Sequence, residues 1–125
     1  MLHLIRLTEA RDIETPAAAM RTYASPSTPT RSTHAVWRTE VPADSSGPVH
    51  SVDTEHVVVV VSGELHATVD GESHTAATGD CLVLPAGSQR QLSGGSGGAI
   101  TLTSAAAGST ATVGQGQPVS VPWAN

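Results

Sequence analysis

The sequence predicts an all-β fold, a sandwich or a small barrel of short strands. Two observations carry this expectation. Val, Thr, Gly and Ser are abundant, which favours strands and tight turns over helices. Apolar and polar residues alternate in short runs, and each run is closed by Gly, Pro or Asp-Gly.

His3–Leu7 alternates weakly and is expected to form a short edge strand. Glu9–Met20 has some helical composition, but Pro16 limits it to one or two turns. Tyr23–Ser32, with Pro26 and Pro29, reads as an irregular solvated loop. His34–Val41 alternates cleanly: Ala35, Trp37, Thr39 and Val41 share one face, and His34, Val36, Arg38 and Glu40 share the other. Pro42–Pro48 is a turn region. Val49–Val61 reads as a bent strand or strand pair, and its apolar run Val57–Val61 is expected to be covered on both faces. Ser62-Gly63-Glu64 is expected to turn the chain into a strand at Leu65–Val69. Asp70-Gly71 is a hairpin signal, with His74–Ala77 as the return strand. Thr78-Gly79-Asp80 turns again into Cys81–Leu84, which Pro85-Ala86-Gly87 ends. Arg90–Leu92 precedes a glycine-serine tip at Gly94–Gly98, with later strands at Ile100–Ser104 and Ala111–Val113. Gly114–Pro122 reads as a loose tail, and Trp123 as its anchor.

A chain of 125 residues is expected to form one domain, 1–125. Phe is absent and the aromatics are Tyr23, Trp37 and Trp123, so Val, Leu, Ile and Ala must build the core. The net charge of −5, without any lysine, argues against nucleic acid or an anionic membrane as partner. No apolar run approaches spanning length and the first residues do not resemble a signal peptide, so a cytoplasmic location is expected. Cys81 is the sole cysteine, which excludes an internal disulfide, and it reads as a buried core residue.

Two patterns carry the chemistry. The first runs from His50-Ser51-Val52-Asp53-Thr54-Glu55-His56 through five valines to Gly63. The second is Gly79-Asp80-Cys81-Leu82-Val83-Leu84-Pro85-Ala86-Gly87. Together they resemble the two motifs of the cupin superfamily, over roughly residues 34–104. The resemblance implies a double-stranded β-helix, the jelly-roll barrel, with a metal or an organic ligand inside. In complete metal cupins three His and one Glu converge there. With the last glycine of the first motif on Gly63, the two His positions fall on His50 and Val52 and the Glu position on His56; the opening glycine falls on Asp44. In the second motif Gly79, Pro85 and Gly87 match, the His position is Arg90 and the Asn position is Gly94.

Three functions fit these residues. In the first, His50 and His56, which share strand parity, hold a divalent transition metal (Zn, Fe, Ni, Mn or Cu) for an oxygenase, isomerase or cyclase acting on an organic acid or polyketide-like substrate. In the second the pocket is metal-free, in a small-molecule binding or sensing module or an isomerase. Arg90 anchors an organic anion, and in the isomerase His50 or His56 acts as general base, because imidazoles as a class titrate near neutrality. In the third the barrel is filled by side chains. The candidate catalytic residues are therefore His50, His56 and Arg90, and the candidate metal ligands His50 and His56. Asp53 and Glu55 have the opposite parity and are expected to face away. His34 and His66 read as surface residues, His74 as structural, Trp37 as core, and Gln89 and Gln91 as polar loop. The resemblance also implies a homodimer, to which the apolar valine strand and an exposed N-terminal edge would lend themselves.

Overall fold

The computed structural model describes residues 1–125. The chain is almost wholly antiparallel strand: β1 (Arg11–Glu14), β2 (Ala19–Ala24), β3 (His34–Val41), β4 (His50–Val52), β5 (His56–Val69), β6 (Glu72–Ala77), β7 (Cys81–Leu84), β8 (Gln89–Ala106), β9 (Thr110–Thr112) and β10 (Val119–Ser120). Its helical pieces are 3-10 turns at Leu7–Glu9 and Pro122–Ala124.

β5 and β8 pair over nearly their whole lengths, from His56 opposite Ala105 to Val69 opposite Arg90. Each is shared between two sheets. One sheet runs β1, β2, β3, the second half of β8, the first half of β5, then β7. The other runs β6, the second half of β5, the first half of β8, then β4, β9 and β10. The sheets curl around a common interior as a jelly-roll barrel, the architecture the sequence predicts.

The passage between sheets is made by bulges in β5 between Val60 and Ser62 and between Gly63 and Leu65. Gly63 has φ +79°, and a Cβ there would lie 2.1 Å from the Gly98 carbonyl oxygen. Gly98 (φ +73°) passes equally close to β3, where a Cβ would lie 2.7 Å from the Val41 oxygen. The turn expected at Ser62-Gly63-Glu64 and the tip expected at Gly94–Gly98 are therefore corrected. Both stretches lie inside continuous strands, and the glycines permit close backbone approach rather than a reversal. Asp70-Gly71 does reverse the chain, with both residues at positive φ (47° and 84°), as a primed hairpin turn requires.

The N-terminal expectations also change. Met1–Arg6 joins no strand, and Leu7, the end of the expected edge strand, instead opens a 3-10 turn. The weak helix of Glu9–Met20 is instead the hairpin β1–β2. Thr15 N–H donates to the Ala18 oxygen at 2.9 Å, and the Thr15 hydroxyl accepts from Ala17 and Ala18, with Pro16 at the turn position its fixed φ suits. The C-terminal tail is docked rather than loose. β10 pairs with β9, the Thr22 hydroxyl donates to the Trp123 oxygen at 2.8 Å, and Arg11 Nη2 donates to the Pro122 oxygen at 2.9 Å.

Two apolar clusters hold the sheets. Met20, Ala35, Trp37, Ala105, Val121 and Ala124 form one; Val58, Val60, Leu65, Ala76, Leu84 and Ala99 form the other. β5 lies between β7 and β8, but Val57–Val61 is covered on one face only. Val58 and Val60 are 3% and 1% exposed, while Val59 and Val61 are 38% and 47% exposed. A continuous run of valines hides the alternation that decides this, since β-branched residues suit both faces of a pleated strand. Cys81 shares the open face and is exposed, which corrects its assignment to the core.

Replacing Gly71, where a Cβ would meet open space, with Ala should cost only the left-handed backbone penalty, about 1–2 kcal/mol. Gly63→Ala adds an overlap with backbone and should cost about 3 kcal/mol or more in denaturant unfolding. Equal losses would show that β5 and β8 do not approach as closely as described.

Candidate functional site

The barrel encloses a cavity of about 600 Å³ with mostly apolar walls, Met20, Trp37, Val52, Val58, Leu65 and Leu92 among them. His50, His56 and Arg90 all line it. His50 on β4 and Arg90 on β8 are directly opposed cross-strand partners, so their side chains emerge side by side on the inner face. His56 comes from the facing sheet, where β5 begins. Its ring lies 5.2 Å from that of Trp37 at 78°, an edge-to-face contact.

Arg90 is 1% exposed. Its Nη2 donates to the Pro85 oxygen and the Ser88 hydroxyl, each at 2.9 Å, and Nε reaches the Ser88 oxygen at 3.4 Å. Nη1 is buried with no partner. None of the chain's ion pairs includes Arg90. Burial pushes its pKa down, and the Asp70 carboxylate pulls the other way. A guanidinium nonetheless keeps its charge in proteins. The result is a fixed cation inside the barrel without a protein counter-ion.

The two imidazoles differ. Burial, then the charge of Arg90, then His50 push the His56 pKa down to about 4, with Asp53 opposing, so His56 is neutral at neutral pH. Its Nε2 lies 3.4 Å from the hydroxyl of fully buried Ser109, which Thr54 holds in turn. His50 Nδ1 lies 2.9 Å from the Pro48 oxygen. A carbonyl only accepts, so Nδ1 carries the proton and Nε2 is the free basic nitrogen of the neutral ring.

The carboxylates near the motif are elsewhere. Asp53 accepts from the Thr110 amide at 2.7 Å and the Thr110 hydroxyl at 2.9 Å, clasping β4 to β9, and the amide bond holds its carboxyl below the usual range. Glu55 is exposed. Nowhere do three His, Cys, Asp or Glu side chains converge. Val52, 3% exposed, stands at the second His position and Arg90 at the third. Two imidazoles fall short of the three protein ligands of catalytic zinc, and a guanidinium beside them repels a dication. The donor set at His50 and His56 therefore does not fit a tightly held divalent metal.

His34, His66 and His74 lie outside the cavity; His66 and His74 sit beside Glu64 (3.2 Å) and Glu72 (3.5 Å). Trp37 is core, as expected, but also cavity wall. Gln89 and Gln91 lie in β8 rather than a loop, and Gln91 Nε2 donates to the Gly47 oxygen at 3.1 Å. Thr101 and Thr103 line the cavity and carried no motif signal; apolar–polar alternation with Ile100 and Leu102 points them to the outer face, the opposite of what the structure shows. Ser88, which steadies Arg90, is legible only as the residue after the Pro-x-Gly turn.

The depressed His56 pKa has a consequence for stability. The unfolded chain takes up the proton near 6.5 and the folded chain only near 4, so stability is fully present above pH 6.5 and is lost progressively as pH falls toward 4. His56→Gln should flatten the melting temperature across that window. A wild-type melting temperature that stays level from pH 7 to pH 4 would contradict the buried neutral imidazole.

Comparison with known proteins supplies the family. The Cupin domain family matches residues 37–102. No curated protein matches the chain in sequence. Among solved structures, the fold is similar to the polyketide cyclase RemF from Streptomyces resistomycificus, with 21% identity, TM-score 0.72, and 85% of this chain covering 80% of that one. It is similar to a cupin-superfamily sugar phosphate isomerase from Silicibacter pomeroyi, with 17% identity, TM-score 0.71, and coverage of 91% and 83%. It is also similar to an RmlC-like cupin from Shewanella frigidimarina, with 17% identity, TM-score 0.71, and coverage of 85% and 91%. At these identities the structural likeness speaks for the fold alone. The family match spans over half of the chain, both motifs lie on strands that wall the cavity, and the chain belongs to the cupin family.

Proposed function

We propose that this chain is a metal-free cupin that takes a small organic anion into its barrel, with Arg90 as the anchor and His50 as the acid–base group. The observation that carries the reading is the buried Nη1 of Arg90, which has neither a hydrogen-bond acceptor nor a counter-ion. An uncompensated buried charge is costly, and a ligand carboxylate or phosphate would supply what the fold leaves out. His50 is the cross-strand partner of that anchor and lines the same cavity, and its free Nε2 is the type of group that takes a proton from a carbon next to a carbonyl and returns it elsewhere on the same molecule. Isomerisation, in which the proton leaves one atom of the substrate and returns to another, balances with these groups alone. A polyketide cyclase and a sugar phosphate isomerase among the structural neighbours support a small organic substrate. The metal reading would require ligands that Val52 and Arg90 do not provide.

Two measurements test this reading. Protein purified without added metal should carry sub-stoichiometric metal, and organic anions should raise its melting temperature. Arg90→Met should abolish that ligand effect while leaving the unliganded melting temperature unchanged or higher. Removing the guanidinium orphans little, because Ser88 N–H and Oγ already donate to the Pro85 oxygen at 3.1 and 2.7 Å. An Arg90→Met protein that unfolds, with wild type indifferent to anions, would make Arg90 structural and overturn the reading. Stoichiometric metal lost in His50→Ala would restore the metal site.

For assembly, we propose a homodimer through the outer face of β5, β7 and β8. Val59 lies opposite both Leu102 and Cys81, and Val57 opposite Val83, so the exposed apolar side chains form one surface rather than scattered points. No helix is long and apolar enough to cross a membrane, and the exposed thiol of Cys81 supports a reducing, cytoplasmic setting. Light scattering should give twice the chain mass, and Val59→Asp should give a folded monomer. A wild-type monomer at tens of micromolar would remove the proposal.

A further inference from the structure

The cavity is larger and more apolar than an anion anchor needs. Arg90 is the one Arg, Lys, Asp or Glu among the residues that line it. The chain contains no lysine, and its 3-10 turns of three residues each are too short to present a helix N-terminus to an anion. The site therefore offers a single positive charge. One Nη with two N–H donors suits a singly charged group; a phosphate dianion would keep a buried charge unmatched. Away from Arg90, His50 and His56 most of the wall is apolar, Met20, Trp37, Val52, Val58, Leu65 and Leu92 among it, with single hydroxyls from Thr15, Thr39, Ser46, Thr101, Thr103 and Ser120. Such a wall rewards methylene and ring surface, and neutral hydroxyls scattered over different strands compensate a densely hydroxylated sugar less well than they do one polar group on an apolar body. A cavity of about 600 Å³ also exceeds what a bare oxyanion would occupy, and falls in the size range of pockets for drug-sized molecules.

We infer that the ligand is a largely apolar monocarboxylate, its carboxylate drawn to the Arg90 guanidinium and its hydrocarbon body between Trp37 and the valine–leucine wall. This rests on the anion-anchor reading above and narrows it to one substrate class. The hydroxyls of Thr101 and Thr103, on the sheet facing Arg90, are left to meet a single carbonyl or hydroxyl on that body.

The test is a calorimetric series of butanoate, hexanoate, octanoate and decanoate, with octanamide, glucose 6-phosphate and inorganic phosphate as comparators, on wild type and Arg90→Gln. Affinity for wild type should rise about threefold to fourfold per added methylene until the cavity is filled. Octanamide should bind at least about tenfold more weakly than octanoate. Arg90→Gln should erase that carboxylate–amide difference while keeping the dependence on chain length. Glucose 6-phosphate binding more tightly than octanoate, or carboxylate affinity independent of chain length, would overturn the apolar class while Arg90 dependence left the anchor standing. Binding that rises with chain length but is the same for octanoate and octanamide in wild type would overturn the carboxylate and the anchor together.

Discussion

The barrel depends on one pairing, that of β5 with β8. These two strands are long enough to belong to both sheets, and β3, β4, β6 and β7 pair directly with one of them, with β2 and β1 following from β3 and β9 and β10 from β4. A pair that long cannot stay flat while lining a closed interior. It changes sheet where β5 is bulged and Gly63, Gly98 and the Val41–Pro42 backbone approach within a distance that excludes a Cβ. Backbone proximity at that one place determines the curvature of the barrel, and with it the width of the cavity.

The same pairing determines the electrostatics. Arg90 lies opposite Val69 of β5 on one side and His50 of β4 on the other, in the most enclosed part of the second sheet. Its guanidinium is held by the Pro85–Ser88 turn that precedes it, so its position is fixed without a carboxylate. A rigid buried cation with one nitrogen left over is an unusual way to finish a core, since replacement by an apolar side chain of similar volume would ordinarily be neutral or favourable. Its field reaches His56 across the interior and, together with burial, keeps that imidazole neutral. His56 is thereby a polar but uncharged wall residue, tied to Ser109 and Trp37, while His50 keeps the free basic nitrogen.

The terminal segments contribute to the site rather than decorate it. The β1–β2 turn lines the cavity through Thr15–Ala18, and the last strand and 3-10 turn line it through Val119–Trp123. Arg11 and Thr22 lock the two together by donating to the Pro122 and Trp123 carbonyls, and Asn125 Nδ2 braces the last turn by donating to the Ser109 and Val121 carbonyls. The family match covers only the strands between these segments, so the parts of the chain outside that match set much of the ligand chamber.

The sequence by itself determined the class of the fold and the strand bearing each candidate residue. His34–Val41 and Cys81–Leu84 are strands with the bounds their alternation and flanking turns indicate. These features are local, and local patterns survive in one dimension. Only the tertiary structure decided the rest. His50 and His56 share parity in the sequence but stand on separate strands, β4 and β5, so period two alone does not relate their directions or that of Arg90 on β8. Gly94–Gly98 has the composition of a loop and is the interior of a strand, because two other backbones must pass beside it. Val57–Val61 is apolar throughout, so no pattern within it could reveal that one face has no second layer. Fitness for a metal turns on convergence: His50 and His56 are reasonable ligands in isolation, but a guanidinium is the cross-strand partner of one, a tryptophan packs on the other, and no third His, Cys, Asp or Glu side chain joins them. A site is a property of distances between strands remote in sequence, and no spacing within one strand encodes them.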